Sequence, residues 1–160
     1  MSFITTDFIN MLADQSRLSR DGDHSVEHWS RVLLNGRNLS KLTRANLKVV
    51  ELFAIIHDSQ RHNEWVDRDH GKRAAEYAKT IRGRWFELED DEMDLLCFAC
   101  EHHSSGFIKA DITVQTCWDA DRLDLGRVGI VPDPDLLSTK FAKDPEFLKD
   151  SHSRATKVFK

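Results

Sequence analysis

The chain has 160 residues, a formal net charge of -4, and 40% hydrophobic against 31% charged residues. That length fits one domain burying roughly 70% of the surface its unfolded form exposes, and the charge lacks the basic excess on which bulk nucleic-acid binding draws. The longest apolar run, about ten residues around Leu47 to Ile56, is far short of the ~20 that span a bilayer.

The amino-terminal stretch MSFITTDFIN shows no basic region ahead of an apolar core, so no secretory signal is expected. A short helix is expected over residues 3–13, with Phe8, Met11 and Leu12 on one face, and a polar linker over 16–23. Residues 24–42 carry Val26, Trp29, Val32, Leu33, Leu39 and Leu42 at spacings of mainly three, four and seven, the mark of one buried helical face; Asp23 is placed to cap it. Residues 45–57 are apolar on nearly every side, as in the central helix of a bundle. A loop over 59–68 separates this from a helix over 69–82 with the small residues Ala74, Ala75 and Ala78.

Residues 90–103 open with three acids, favourable at the positive end of a helix. A short extended piece over 107–114 and a helix over 113–125 follow, and residues 135–143 and 145–160 read as two short helices among Pro132, Pro134 and Pro145. The expectation is an all-α bundle of about five core helices plus peripheral ones, one domain over 1–160. Its motif-bearing part is about 24–126, and the extension over 132–160 covers a pocket, completes a dimer or caps the bundle. Cys97, Cys100 and Cys117 are an odd count with no second Cys-x-x-Cys pair, so they read as reduced core thiols of a cytoplasmic protein.

Seven of the eight histidines fall between residues 24 and 103. His24 and His28 are four apart and would share a helical face; His28 lies where that helix passes from polar to buried. His57-Asp58 ends the wholly apolar segment, where an unpartnered carboxylate is costly, and Asp121 in Trp118-Asp119-Ala120-Asp121-Arg122-Leu123 repeats the situation. A divalent cation resolves both burials, and mixed imidazole and carboxylate ligation suits Mn, Fe, Ni, Zn or Mg.

In order, His28-x-x-Arg31-Val32, His57-Asp58 and Ala120-Asp121-Arg122-Leu123 resemble the HD superfamily of metal-dependent phosphohydrolases. The resemblance implies a helical HD domain with His28, His57, Asp58 and Asp121 as metal ligands. It further implies hydrolysis of a phosphate ester of a nucleotide or other small phosphorylated metabolite by metal-activated water. His70 and His103, with His102 beside it, occupy the interval in which two-metal subfamilies place added histidines, and so read as a second metal site or a phosphate contact. The Gly-Tyr-Pro element of one such subfamily is missing, so its cyclic dinucleotide substrate is not carried over.

Developing phosphoryl charge calls for fixed cations, for which Arg61 and Lys72 or Arg73 are candidates. Glu64, Asp67 or a histidine of the cluster is a candidate general acid, and His62 and His152 read as solvent-facing. Neither a Gly-x-Ser-x-Gly elbow nor a phosphate-binding glycine loop is present. The competing readings are a cyclic or linear nucleotide phosphodiesterase, a non-catalytic module binding metal and nucleotide, and an oxygenase with a di-iron site. The expected partner is a small phosphorylated substrate, with no membrane, and self-association is compatible with the sequence.

Overall fold

Residues 4–157 are described by a computed structural model of the chain. Phe3 and residues 158–160, to which the two terminal helices were expected to extend, lie outside the described residues. The elements are α1 (Thr6–Gln15), α2 (Val26–Thr43), α3 (Leu47–Ile56), α4 (His70–Ile81), α5 (Asp90–His102), α6 (Ile112–Arg122) and α7 (Pro145–Thr156), with single 3₁₀ turns at Leu125–Val128 and Pro134–Leu136.

Side-chain caps fix most of the helix starts. Thr5 accepts from the Phe8 N–H, Asn46 from Lys48 and Val49, Asp111 from Thr113, and Asp144 from Glu146 and Phe147. Glu89 and Glu92 form a reciprocal capping box at α5.

The centre is α3, whose residues from Val49 to Ile56 are all buried. It packs against α2, α5 and α6, and α4 lies on α5, giving the five core helices expected, with α1 and α7 outside them. Its one buried acid, Glu51, accepts from Arg37 Nε at 2.6 Å. Gly71 has a clear purpose. A Cβ there would lie 2.2 Å from the Cys100 carbonyl oxygen, so only glycine lets the start of α4 touch the end of α5.

Three local expectations are corrected. Ser25, in extended conformation, is the N-cap of α2, so His24 precedes the helix and Asp23 does not cap it; the Asp23 carbonyl instead accepts from Arg127 Nε at 2.7 Å. No strand occurs over 107–114 among the described residues: the Phe107 carbonyl is taken by Arg122, and Asp111 already starts α6. The helix expected over 135–143 is reduced to the turn at Pro134–Leu136. The Asp119 carboxylate takes the N–H groups of Ser138 and Thr139 at 2.7 and 2.8 Å, and this draws Leu137 and Ala142 into the core.

Candidate metal centre

All five core helices deliver a side chain to one point. His28 comes from the first turn of α2, His57 and Asp58 from the end of α3, and His70 from the first residue of α4. His103 caps α5, and Asp121 sits in the last turn of α6. Three of these helices, α3, α5 and α6, thus present carbonyl ends, whose partial negative charge favours a cation.

The four histidines share one arrangement. Each Nδ1 donates to a fixed acceptor: His28 to Asp124 Oδ2 at 2.7 Å, His57 to the Phe53 carbonyl at 3.0 Å, His103 to the Cys100 carbonyl at 2.6 Å, and His70 to the Asp67 carbonyl. That fixes the tautomer and leaves each Nε2 with its lone pair, which in His70 also faces Arg61 Nη1 at 3.1 Å. Two of these Nε2 atoms face Asp58 Oδ2 and Asp121 Oδ1. His28 Nε2 is 3.2 Å from His57 Nε2, 3.4 Å from Asp58 and 3.2 Å from Asp121, and His57 Nε2 is 3.4 Å from each carboxylate. The other two face Asp58 Oδ1, His70 at 3.2 Å and His103 at 3.4 Å, and stand 2.8 Å from each other.

Imidazole lone pairs and carboxylate oxygens this close are all acceptors, so positive charge must lie among them. The spacing around Asp58 Oδ2 suits a metal ion. Ligand distances of ~2.1 Å separate ligands by about 3.0 Å at right angles and about 3.4 Å in a tetrahedron, which brackets the contacts found. Protein charges alone would supply protons instead. Burial disfavours the charged imidazole of His57, but the charges of Asp58 and Asp121 outweigh it and push its pKa up to about 10. His28 is also raised, against burial, by Asp121, Asp124 and Asp58. Both carboxyls are held well below their usual range: the histidines overcome burial, His57 foremost. His103 behaves oppositely, its pKa lowered chiefly by burial and by neighbouring His57.

Arg61 is buried beside the second face of Asp58. Its Nη1 is 3.1 Å from His70 Nε2 and 3.9 Å from Asp58 Oδ1, while Nε and Nη2 donate to the carbonyls of Asn63 and Trp65. Glu64 bonds His24, whose ring lies edge-on to His28 at 6.2 Å. Asp67 is taken up by Arg73 and the His62 N–H, which outweigh burial and lower its pKa.

The remaining candidates lie elsewhere. Lys72 is exposed. His102 packs between Phe98 and Phe107, outside the cluster. His62 is exposed, but His152 is not solvent-facing as expected; it is half-buried, with its ring over Gly126. The three cysteines are free, with Cys100 and Cys117 buried.

Asp124, which orients His28, was not singled out from the sequence. It also accepts from Arg31 Nε at 2.7 Å and lies 3.8 Å from Arg127. The signal was present in the three-residue intervals His28 to Arg31, Asp121 to Asp124 and Asp124 to Arg127.

Protein-family models and curated proteins give no match to this chain. A solved structure does match: a predicted HD superfamily hydrolase from an uncultured Thermotogales bacterium. It superposes with a TM-score of 0.71 over 92% of this chain and 84% of its own, at 22% identity. The chain therefore has the all-α fold of that HD protein, and the resemblance read from the three motifs holds at the level of the fold.

Proposed function

We propose that this protein is a metal-dependent phosphohydrolase acting on a small phosphate ester. The observation that carries this reading is the common orientation of four histidines, each Nδ1 tied and each Nε2 turned toward Asp58, with Asp121 completing the set. His28, His57, Asp58 and Asp121 would hold one divalent cation, drawn from Mn, Fe, Ni, Zn or Mg. Such an ion lowers the pKa of its water toward neutrality and polarises the phosphoryl oxygen. The HD hydrolase with the same fold is consistent with this chemistry.

The chain's own residues would do the rest. Arg61 places a guanidinium beside the cluster, where charge on the phosphoryl oxygens develops. His70 and His103 turn lone-pair Nε2 atoms to the same space, the form in which an imidazole takes the proton the attacking water loses. Asp121 keeps a side chain 15% exposed, so the cluster opens to solvent on that side. Three free thiols fit a reducing, cytoplasmic place of action.

The test is metal content per chain by elemental mass spectrometry for wild type and His57→Ala, with phosphate release from nucleoside monophosphates, sugar phosphates and cyclic nucleotides. The expected result is about one ion per chain, lost in the variant, with release from monoesters. Metal retention without turnover on any substrate would favour a binding module instead, and turnover confined to cyclic nucleotides a phosphodiesterase.

A further inference from the structure

Beside the cluster lies a cleft of about 250 Å³ that shares His103 as a wall residue. Its other walls come from two segments. The chain after α6 supplies Leu125, Ile130, Val131, Pro132, Leu136 and Leu137 with the exposed Asp133, and the turn after α5 supplies Ser104 and Gly106. Arg122, adjacent in sequence to the candidate ligand Asp121, stands between them. Its Nη1 donates to the Leu136 carbonyl at 3.1 Å and its Nη2 to the Phe107 carbonyl at 2.6 Å, with the guanidinium 5.5 Å over the Trp118 ring. One side chain thus fixes both walls, and the Asp119 carboxylate pins the segment further at Ser138 and Thr139.

Two features of this cleft call for an occupant. It is preformed, because the hydrogen bonds that hold its walls apart are internal to the chain. It is also largely apolar and open: Ile130 is 51% exposed, Val131 73% and Leu136 59%. A concave, mostly apolar lining with a few polar groups at its edge is the form small-molecule sites take.

We infer that this cleft takes the organic part of the substrate, and that this part is a planar, mostly apolar system of one or two fused rings; the inference rests on the phosphohydrolase reading above. The volume of about 250 Å³, just below the usual range of ligand pockets, suits such a ring system. Its position sets the geometry. A ring seated against Ile130 and Val131 would direct its phosphate toward His103, the wall residue that also faces Asp58 at 3.4 Å. In the reaction, water adds to phosphorus, the phosphorus–oxygen bond to the ring-bearing alcohol breaks, the alcohol leaves with a proton, and inorganic phosphate remains.

The test compares 2-naphthylmethyl phosphate with glycerol 3-phosphate on the full-length protein carrying its own metal. Both leaving groups are primary alcohols, so the ratio of their kcat/KM values reports recognition. Binding of 2-naphthylmethylphosphonate and ethylphosphonate by calorimetry gives the same ratio without turnover. A preference of about tenfold or more for the ring is expected in both ratios, from burial of the ring's apolar surface. Val131→Asp, at a highly exposed position, should bring both ratios down about tenfold.

Equal kcat/KM and equal binding of the two members of each pair would overturn the inference while leaving the hydrolase reading intact. Preferential binding of the ring phosphonate, abolished by Val131→Asp, with no turnover of either ester would leave the cleft assigned and remove the hydrolase. A halved mass for Val131→Asp in sedimentation, with both ratios unmoved, would make the patch a contact between copies of the chain and overturn the inference.

Discussion

The two oxygens of Asp58 look into unlike surroundings. Around Oδ2 stand His28, His57 and Asp121, and the carboxylates there push both imidazoles toward the charged form, His57 up to about 10. Around Oδ1 stand His70 and His103, but Arg61 Nη1 lies 3.1 Å from His70 Nε2, and His103 is pushed toward the neutral form by burial and by His57. One side of a single carboxylate calls for positive charge from protons or a bound ion; the other has a cation attached to the chain. The difference teaches that an abundance of histidines does not by itself set the number of metal ions, because a built-in guanidinium competes for the same oxygen.

The most damaging way to break this contrast is Asp58→Asn, which keeps the shape and removes the charge from both faces at once. Leaving buried groups without their counter-charge costs about 3 kcal/mol or more, so metal affinity should fall more than a hundredfold and phosphate release should become undetectable. Titration of the chelated protein with Mn or Zn would read this directly. Unchanged affinity would mean that Asp58 is not a ligand.

A finer intervention is Arg61→Gln, which alters only the Oδ1 side. Loss of a charged donor near the phosphoryl oxygens should lower kcat about a hundredfold. With the guanidinium gone, Asp58 Oδ1, His70 Nε2 and His103 Nε2 become three convergent donors without a resident cation. Metal content in excess ion should accordingly rise from about one to about two per chain. A stoichiometry that stays at one would remove the competition argument, and wild-type protein already holding two ions would reverse it.

Most of the helical frame was legible in the sequence because each core helix has a periodic apolar face or, in α3, an apolar surface all round. Legibility failed where tertiary hydrogen bonds decided the backbone. The N–H groups of Ser138 and Thr139 are taken by Asp119, which dissolves the helix read there, and nothing local to residues 135–143 announces it. Among candidate site residues, His28, His57, Asp58, His70, His103 and Asp121 are brought together because each sits at a helix end or seam where a turn aims it inward. Lys72 illustrates the opposite. It is two residues from His70 on α4 and therefore points away from it, toward solvent. Asp124 escaped notice because its work, holding one imidazole by Nδ1, depends on a contact 96 residues away in sequence.

The smallest expected effect is one of pH, and it separates proton from metal as the charge on the Oδ2 side. In chelated protein the folded pKa of His57, about 10, lies above its ordinary 6.5. The stabilisation this brings is complete below pH 6.5 and is lost as pH rises through about 10. The depressed pKa values of Asp58 and Asp121 act at the other end, since their contribution is present above about pH 4, the ordinary aspartate value, and is lost as pH falls through the folded values. Chelated protein should therefore be most stable between about pH 5 and 6.5, then lose a few degrees of Tm on the way to pH 9. A bound ion occupies the lone pair that would otherwise carry the proton, so the loaded protein should lack the alkaline decline. Scanning calorimetry from pH 5 to 10, with and without chelator, measures the gap between the two curves, which should widen steadily above pH 6.5. Parallel curves would mean that the proton on His57 and the metal do not share a site, and the Oδ2 side of Asp58 would lose its claim to the ion.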